Sequence, residues 1–267
     1  MTYSLMQRVN LAFRYLSYKL FARHQHGHGI HSPFVYSFIK KVLIQHDERP
    51  SFRMIEATRK QYLKSDESIG IAEFGAGSRT LKKDIRKLKE IVRTSAVSAK
   101  YGQMLYHLVT FYQPQFIAEL GTSAGISAAY LASASPLTKV FTVEGNSGLA
   151  QIAGKTFHDL NLKNVKQITD TFENALQQLM KNVTGKPLVF IDGDHQYKSI
   201  MCYFQRIRNY PDECLIVFDD IRWSGDMFKA WKEIISDPGV KISIDLFWIG
   251  IVLLHVNIIK QNFVIKF

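Results

Sequence analysis

Two hydrophobic periods share this chain. From Gln115 onward, short apolar runs at 115–120, 139–143, 165–168, 187–191 and 213–218 read as strands. Between them, at 123–134, 148–160, 171–181 and 196–209, apolar residues recur at helical spacing. Strands and helices in such alternation predict a parallel sheet with helices on both faces. A helix at about 225–236 ends before Pro238-Gly239. Val240–Phe247 and Ile249–Val256 read as two further strands with almost no loop between them, and Asn262–Phe267 as a candidate edge strand.

The first 60 residues have a mostly helical pattern. Leu5, Val9, Ala12, Phe13, Leu16 and Leu20 recur on one face, and Arg8, Arg14, Lys19 and Arg23 lie on the other. A basic amphipathic helix either lies on an acidic membrane or docks on its own domain. Docking is the expectation here, because isolated helices need tertiary packing. Between His24 and His31 four histidines fall within eight residues, a composition that suits a transition metal. The alternative is a glycine-rich loop leading into a helix with Ser32 as N-cap and Pro33 at its first position. Ile69–Arg79, with Glu73, Gly75 and Gly77, looks like a strand with a glycine turn, but no strand–helix units follow it. The charged stretch Lys82–Arg93 that does follow is of helical type. This segment is read as a loop near the active site or a structural turn, not a second cofactor site. Residues 94–113 read as a helix with Met104, Leu105, Leu108 and Val109 inward. The expected organisation is an N-terminal helical extension over 1–93 and an α/β domain over 94–267.

The candidate chemistry sits at strand ends. Phe116 to Tyr130 reads as an apolar strand, a turn flanked by Gly121 and Gly125, and an alanine-rich helix, with Glu119 near the strand's end. Glycine permits tight dihedrals and close backbone approach. A strand, glycine turn and helix open a nucleotide-binding α/β unit. Lys139–Glu144 is a second strand ending on an acid. An acid roughly 20 residues past the glycine turn takes ribose hydroxyls in nucleotide-binding folds. The fourth strand closes with Asp192-Gly-Asp194-His195-Gln-Tyr197 and the fifth with Asp219-Asp220. Adjacent parallel strands lie about 4.8 Å apart, so these carboxylates converge at the rim where such folds bind ligands. They either raise one another's pKa or hold a hard cation such as Mg²⁺ or Ca²⁺. The structural alternative is that Asp219 or Asp220 caps the next helix.

Composition narrows the partners. The 267 residues allow one α/β domain plus an extension, and a hydrophobic fraction of 46% supports a full core. A net charge of +11 favours an anionic partner, whether nucleic acid, an acidic membrane surface or an acidic substrate. Cys202 and Cys214 are expected as buried thiols rather than a disulfide. No apolar run is long enough to span a bilayer. The N-terminus lacks the cleavage site of a signal peptide, so the default location is cytoplasmic.

Taken together, Glu119-x-Gly121-x-x-x-Gly125, Glu144, Asp192-Gly-Asp194-His195-x-Tyr197 and Asp219-Asp220 resemble the small-molecule O-methyltransferases of the class I S-adenosylmethionine (SAM) fold. The catechol O-methyltransferase type is the mechanistic reference. The resemblance covers residues ~95–256, and the His-Gly and Ser-Pro-Phe segment resembles an extension of uncharacterised bacterial relatives. It implies a Rossmann-like, mostly parallel seven-stranded sheet with a C-terminal antiparallel hairpin. It places the methionine part of SAM at Glu119, Gly121, Thr122, Ser123 and Gly125. Glu144 with Gly145 takes the ribose, Asp170 with Thr171 the adenine, and Asp192 also borders the cofactor. His195 falls where that type has its lysine base, with Asp192 beside it, while Asp192, Asp219 and Asp220 match a metal position. Asp220 replaces the asparagine common there. The implied reaction moves a methyl group from SAM to a hydroxyl of a small molecule.

Other functions fit less well. A nicotinamide dehydrogenase requires G-x-G-x-x-G, which Gly121 and Gly125 do not provide. The charge suits an RNA or other nucleic-acid methyltransferase, but the Asn/Asp-Pro-Pro-Tyr/Phe motif of adenine enzymes is absent after strand four. Neither cysteine follows a proline, as the cytosine C5 type requires. A non-catalytic SAM-fold binding module is the third reading.

Overall fold

The structure, a computed structural model, describes residues 14–23, 27, 29–45, 47–72 and 83–267. The chain forms two compact units, Gln45–Leu179 and a second built from the segment up to Ile44 with Met180–Phe267. Strands β3 to β10, defined below, number eight where the resemblance implied seven.

The N-terminal helix α1 covers residues 14–21. It docks on its own unit; of the residues its period placed inward, Leu5, Val9, Ala12 and Phe13 lie outside the described residues. Leu16 and Leu20 are exposed, and Tyr18 is the buried anchor. The Tyr18 hydroxyl donates to the carbonyl of Ile265 at 2.5 Å and accepts from the Phe267 N–H at 3.1 Å. Tyrosine suits this place because its ring packs on Phe247 while its hydroxyl meets backbone groups of the terminal strand. Arg23 then pairs in parallel with Ile265. Helix α2 (Pro33–Phe38) starts as expected, with Ser32 Oγ accepting from the Val35 N–H and Pro33 at the first turn. It runs into a π-helical turn, Ile39–Leu43.

In the Gln45–Leu179 unit, helix α3 (Pro50–Tyr62) precedes strands β1 (Ser68–Ala72) and β2 (Lys83–Lys87). These two pair antiparallel, from Ser68 opposite Lys87 to Ala72 opposite Lys83. The helical reading of Lys82–Arg93 therefore holds only from Leu88, where α4 (Leu88–Ser95) begins. Partner pairing overrides helical propensity at 83–87. Glu73, Gly75, Gly77 and Arg79 lie outside the described residues. Helix α5 (Ala99–Tyr112) is capped by Ser98. Parallel strands β3 (Phe116–Leu120), β4 (Lys139–Val143) and β5 (Val165–Ile168) are adjacent in that order, joined through α6 (Ile126–Ala134) and α7 (Ser147–Asp159). Helix α8 (Phe172–Asn182) follows. Gly102 lets α5 and α6 meet, since a Cβ there would lie 2.4 Å from the Tyr130 ring. The Tyr130 hydroxyl donates to Glu56 Oε1 at 2.9 Å, and Arg59 Nε donates to the same oxygen at 3.1 Å. These bonds fix α6, whose N-terminal end carries the glycine turn, against α3.

In the second unit, β6 (Pro187–Ile191) and β7 (Cys214–Phe218) pair in parallel, and α9 (Tyr197–Arg208) connects them. After α10 (Gly225–Ser236), β8 (Val240–Asp245) and β9 (Gly250–Leu254) form the antiparallel hairpin that the resemblance implied. β9 also lies antiparallel to β7, and β10 (Gln261–Val264) adds in parallel to β8. The hairpin corner is held by Asp245. Its two oxygens take both terminal nitrogens of Arg222 at 2.7 Å, and Oδ1 also accepts from the Phe247 N–H at 2.9 Å. The guanidinium also lies 5.0 Å from the Phe247 ring centroid. Cys202 and Cys214 are both free thiols, Cys214 buried and Cys202 partly so.

Candidate active site

In the Gln45–Leu179 unit, three acids stand at the carboxyl ends of three adjacent parallel strands: Glu119 on β3, Glu144 after β4 and Asp170 after β5. Glu119 is fully buried. Its Oε2 accepts from the Thr142 hydroxyl, which in turn bonds the Thr122 hydroxyl at 2.6 Å. Its other oxygen, Oε1, is buried with no hydrogen-bond partner. Burial pushes the carboxyl up to about 7, the Glu144 charge adds to this, and the hydroxyls of Thr142 and Ser127 oppose it. A buried acceptor left unsatisfied is costly, so it marks a place for a donor or cation that the protein does not supply.

The turn after β3 is tight. Gly121, Ser123 and Gly125 have φ values of 109°, 47° and 80°. The N–H groups of Gly121 and Thr122 both donate to the carbonyl of Val143. Gly125 serves packing as well as geometry, because a Cβ there would meet the Phe157 ring at 2.8 Å. Glu144 staples the turn: its Oε2 accepts from the Ser123 N–H at 2.8 Å and its Oε1 from the Asn146 N–H at 2.9 Å. With the Gly145 N–H also donating to this carboxylate, a lone pair remains for a further donor. Burial raises the Glu144 pKa, opposed by the N–H groups of Asn146, Ser123 and Gly145. Asn146 caps α7 through the Leu149 N–H and donates to the carbonyl of Gly70, which brings β1 beside this turn. Asp170 is partly exposed and accepts from the Thr171 N–H at 2.6 Å and from Asn174 Nδ2 at 3.3 Å, while Thr171 Oγ1 caps α8 by accepting from the Asn174 N–H at 3.3 Å.

In the other unit, Asp192 follows β6 and Asp219 follows β7. The two strand ends stay paired, since the Asp219 N–H donates to the carbonyl of Ile191 at 3.0 Å. The carboxyls of Asp192 and Asp219 share a hydrogen bond. Burial, with the neighbouring charge of Asp220, pushes Asp219 up to about 7, against the Asp220 N–H and Asp192. Asp194 and Asp220 adopt left-handed backbone angles, φ 50° and 54°. Aspartate tolerates that region better than most residues. His195 precedes the N-cap of α9, Gln196. Its Nε2 lies 3.8 Å from Asp220 Oδ2, its ring faces Trp223 with centroids 6.3 Å apart, and its Nδ1 is buried without a partner. Burial lowers the His195 pKa, while Asp220 and Asp194 push the other way. Asp194 accepts from the Tyr203 hydroxyl at 3.0 Å. Tyr197 instead donates to Glu233 on α10 at 2.5 Å.

Pattern reading missed Thr142, Trp223 and Tyr203. Thr142 left the clearest signal, as the polar residue within an otherwise apolar strand end. The metal expectation does not fit this donor set. Among the described residues no group of three or more His, Cys, Asp or Glu is placed to hold a metal ion. Asp192 and Asp219 share a hydrogen bond, and Asp220 lies beside them. Of the histidine tract, His24, His26 and His28 lie outside the described residues.

With this geometry in place, comparison with known proteins gives a consistent result. Residues 118–221 match the family model of a methyltransferase domain. An uncharacterised protein of Acanthamoeba polyphaga mimivirus is 31% identical over 85 residues, 30% of this chain. The chain spans 38% of the length of that curated relative. An O-methyltransferase from Bacillus cereus, solved with S-adenosylhomocysteine (SAH), superposes with a TM-score of 0.52 at 20% identity, over 82% of this chain and 95% of that one. The O-methyltransferase TomG from Streptomyces achromogenes, solved with SAM, gives 0.54 at 17% identity, over 82% and 95%. The fold is that of the class I SAM-dependent methyltransferases, and the chain resembles their O-methyltransferase members. No helix among the described residues is long and apolar enough to cross a membrane.

Proposed function

We propose that the protein is a SAM-dependent methyltransferase that acts on a hydroxyl of a small molecule. The observation that carries the reading is Glu119 Oε1, a buried acceptor without a partner at the end of the first strand of the matched segment. A cationic donor such as the ammonium of SAM's methionine part satisfies it and lowers the raised Glu119 pKa. Gly121, Thr122, Ser123 and Gly125 shape the turn beside it. Glu144, through the lone pair that its backbone partners leave, accepts from ribose hydroxyls, with Gly145 adjacent. Asp170 and Thr171 border the adenine. Bound SAM supplies an electrophilic methyl group.

The protein's own task is then to hold an oxygen in line and remove its proton. We assign the proton to His195 Nδ1, the unpartnered nitrogen of an imidazole that burial keeps neutral near pH 7. The hydroxyl oxygen gains the methyl as the methyl–sulfur bond breaks and neutral SAH leaves, His195 gains the proton, and Asp220 stabilises the resulting imidazolium. Asp192 and Asp219, tied to each other, hold the rim beside it. No step uses a metal. In this reading residues 94–267 carry the transfer chemistry, residues 1–93 contribute to choosing the acceptor, and the protein works in the cytoplasm. The charge of +11 supports a second reading, with a nucleic-acid acceptor.

The test is transfer of labelled methyl from SAM to a panel of phenols, catechols and aliphatic alcohols, with total RNA in parallel. Label on a hydroxyl, lost in His195→Ala while SAH still binds, is the expected result. Label on RNA alone would overturn the hydroxyl assignment.

A further inference from the structure

Helix α1 leaves large apolar side chains in solvent. Leu16, Leu20 and Phe21 are 59%, 71% and 70% exposed, and Tyr15 is exposed beside them. Lys19 Nζ sits 5.0 Å from the Tyr15 ring centroid. The segment continues to Arg23, whose N–H donates to the carbonyl of Val264, another exposed apolar residue on β10. The two chain segments that meet here share an unusual charge pattern. The sequence has no aspartate or glutamate before Asp47 and none after Asp245. Asp245 itself is buried and neutralised by Arg222. This edge therefore presents leucine, phenylalanine, tyrosine and valine with Lys19 and Arg23, and with no carboxylate side chain from either segment.

We propose that this edge docks on the surface of an anionic lipid bilayer. The helix is held to its own unit by Tyr18, and Arg14 donates to the carbonyl of Ser224. Its outward residues are thus free to enter the headgroup layer without unfolding the unit. Leucine and phenylalanine insert at the acyl boundary, tyrosine sits at the headgroups, and lysine and arginine meet lipid phosphates. A second copy of the chain is disfavoured as the occupant, because it would set two basic, carboxylate-poor faces against each other. RNA accounts for the charge but leaves the leucines and Phe21 in water.

The full chain is sedimented with vesicles of phosphatidylcholine, with and without phosphatidylglycerol. Binding is expected only with phosphatidylglycerol, and it weakens as salt is raised. The double variant Leu20→Glu/Phe21→Glu, and separately Lys19→Glu, should each lower partitioning roughly tenfold or more. Their melting curves should match the wild type, since these side chains are exposed. Failure to sediment with either vesicle, or equal sedimentation with both, overturns the proposal. So does a wild-type dimer in analytical ultracentrifugation that Leu20→Glu/Phe21→Glu dissolves, or RNA binding that Lys19→Glu abolishes while vesicle binding is unchanged.

Discussion

Asp219→Asn should make the protein more stable at alkaline pH. Asp219 has its pKa raised from 3.8 to about 7, first by burial and then by the charge of Asp220. A folded pKa above the unfolded value means that the native state holds the proton more tightly. Its contribution is complete below about pH 4, is lost as the pH rises toward 7, and stays lost above it. A shift of about three units corresponds to about 4 kcal/mol. Asp219 keeps a small exposed part and Asn must find a partner for its own amide, so about 2 kcal/mol is the realistic gain. The asparagine fits: its oxygen can accept from the Asp220 N–H, as Asp219 Oδ1 does at 2.9 Å, and its amide can donate to Asp192. For a chain of this size a gain of that order raises Tm by roughly 4–8 °C. Thermal melts of both proteins at pH 5 and pH 8 measure it. Glu119, also raised to about 7, tilts both curves alike, so the difference between them isolates Asp219. Equal melting points at pH 8, or a gap that does not widen from pH 5 to pH 8, would refute the buried, proton-sharing description of this pair.

Four further outcomes are expected. Glu144→Ala removes the acceptor of two backbone N–H groups and the proposed ribose contact, so SAH binding should weaken by about 1–3 kcal/mol; a lower Tm with unchanged affinity would make Glu144 a turn staple only. His195→Ala should abolish turnover while SAH affinity persists, and the wild-type rate should fall only below the ordinary histidine pKa of about 6.5, because burial lowers that of His195. EDTA should leave the rate intact, and loss of turnover restored by Mg²⁺ would reverse the reading of the acid cluster. Gly102→Ala places a methyl against the Tyr130 ring and should destabilise by about 1–3 kcal/mol, read in urea melts; a neutral result would mean that the α5–α6 contact is slack.

The sequence was most legible where one element type repeats. The continuous apolar runs Pro187–Ile191 and Cys214–Phe218 are buried at every position, which makes such a strand unmistakable. Legibility failed where a partner decides. Lys83–Lys87 has a helix former's composition, yet it pairs with Ser68–Ala72. In α1 the periodic leucines suggested the docked face, but one tyrosine with two backbone partners outweighs them. Within each unit the acids could be placed on strand ends because neighbouring parallel strands end on the same side. Their ionisation could not be read, since it depends on burial and on which carboxyl bonds which. The depressed His195 pKa likewise has burial as its main cause.

The account rests on the Glu119 to Glu144 turn being a SAM site. Isothermal titration of the wild-type protein with SAH tests this most directly, repeated with Glu119→Gln. The account predicts a saturable, one-site heat for the wild type and clearly weaker binding for the variant, whose amide removes the charge that faces the ligand. No heat with the wild type, or identical curves for the two proteins, would contradict it.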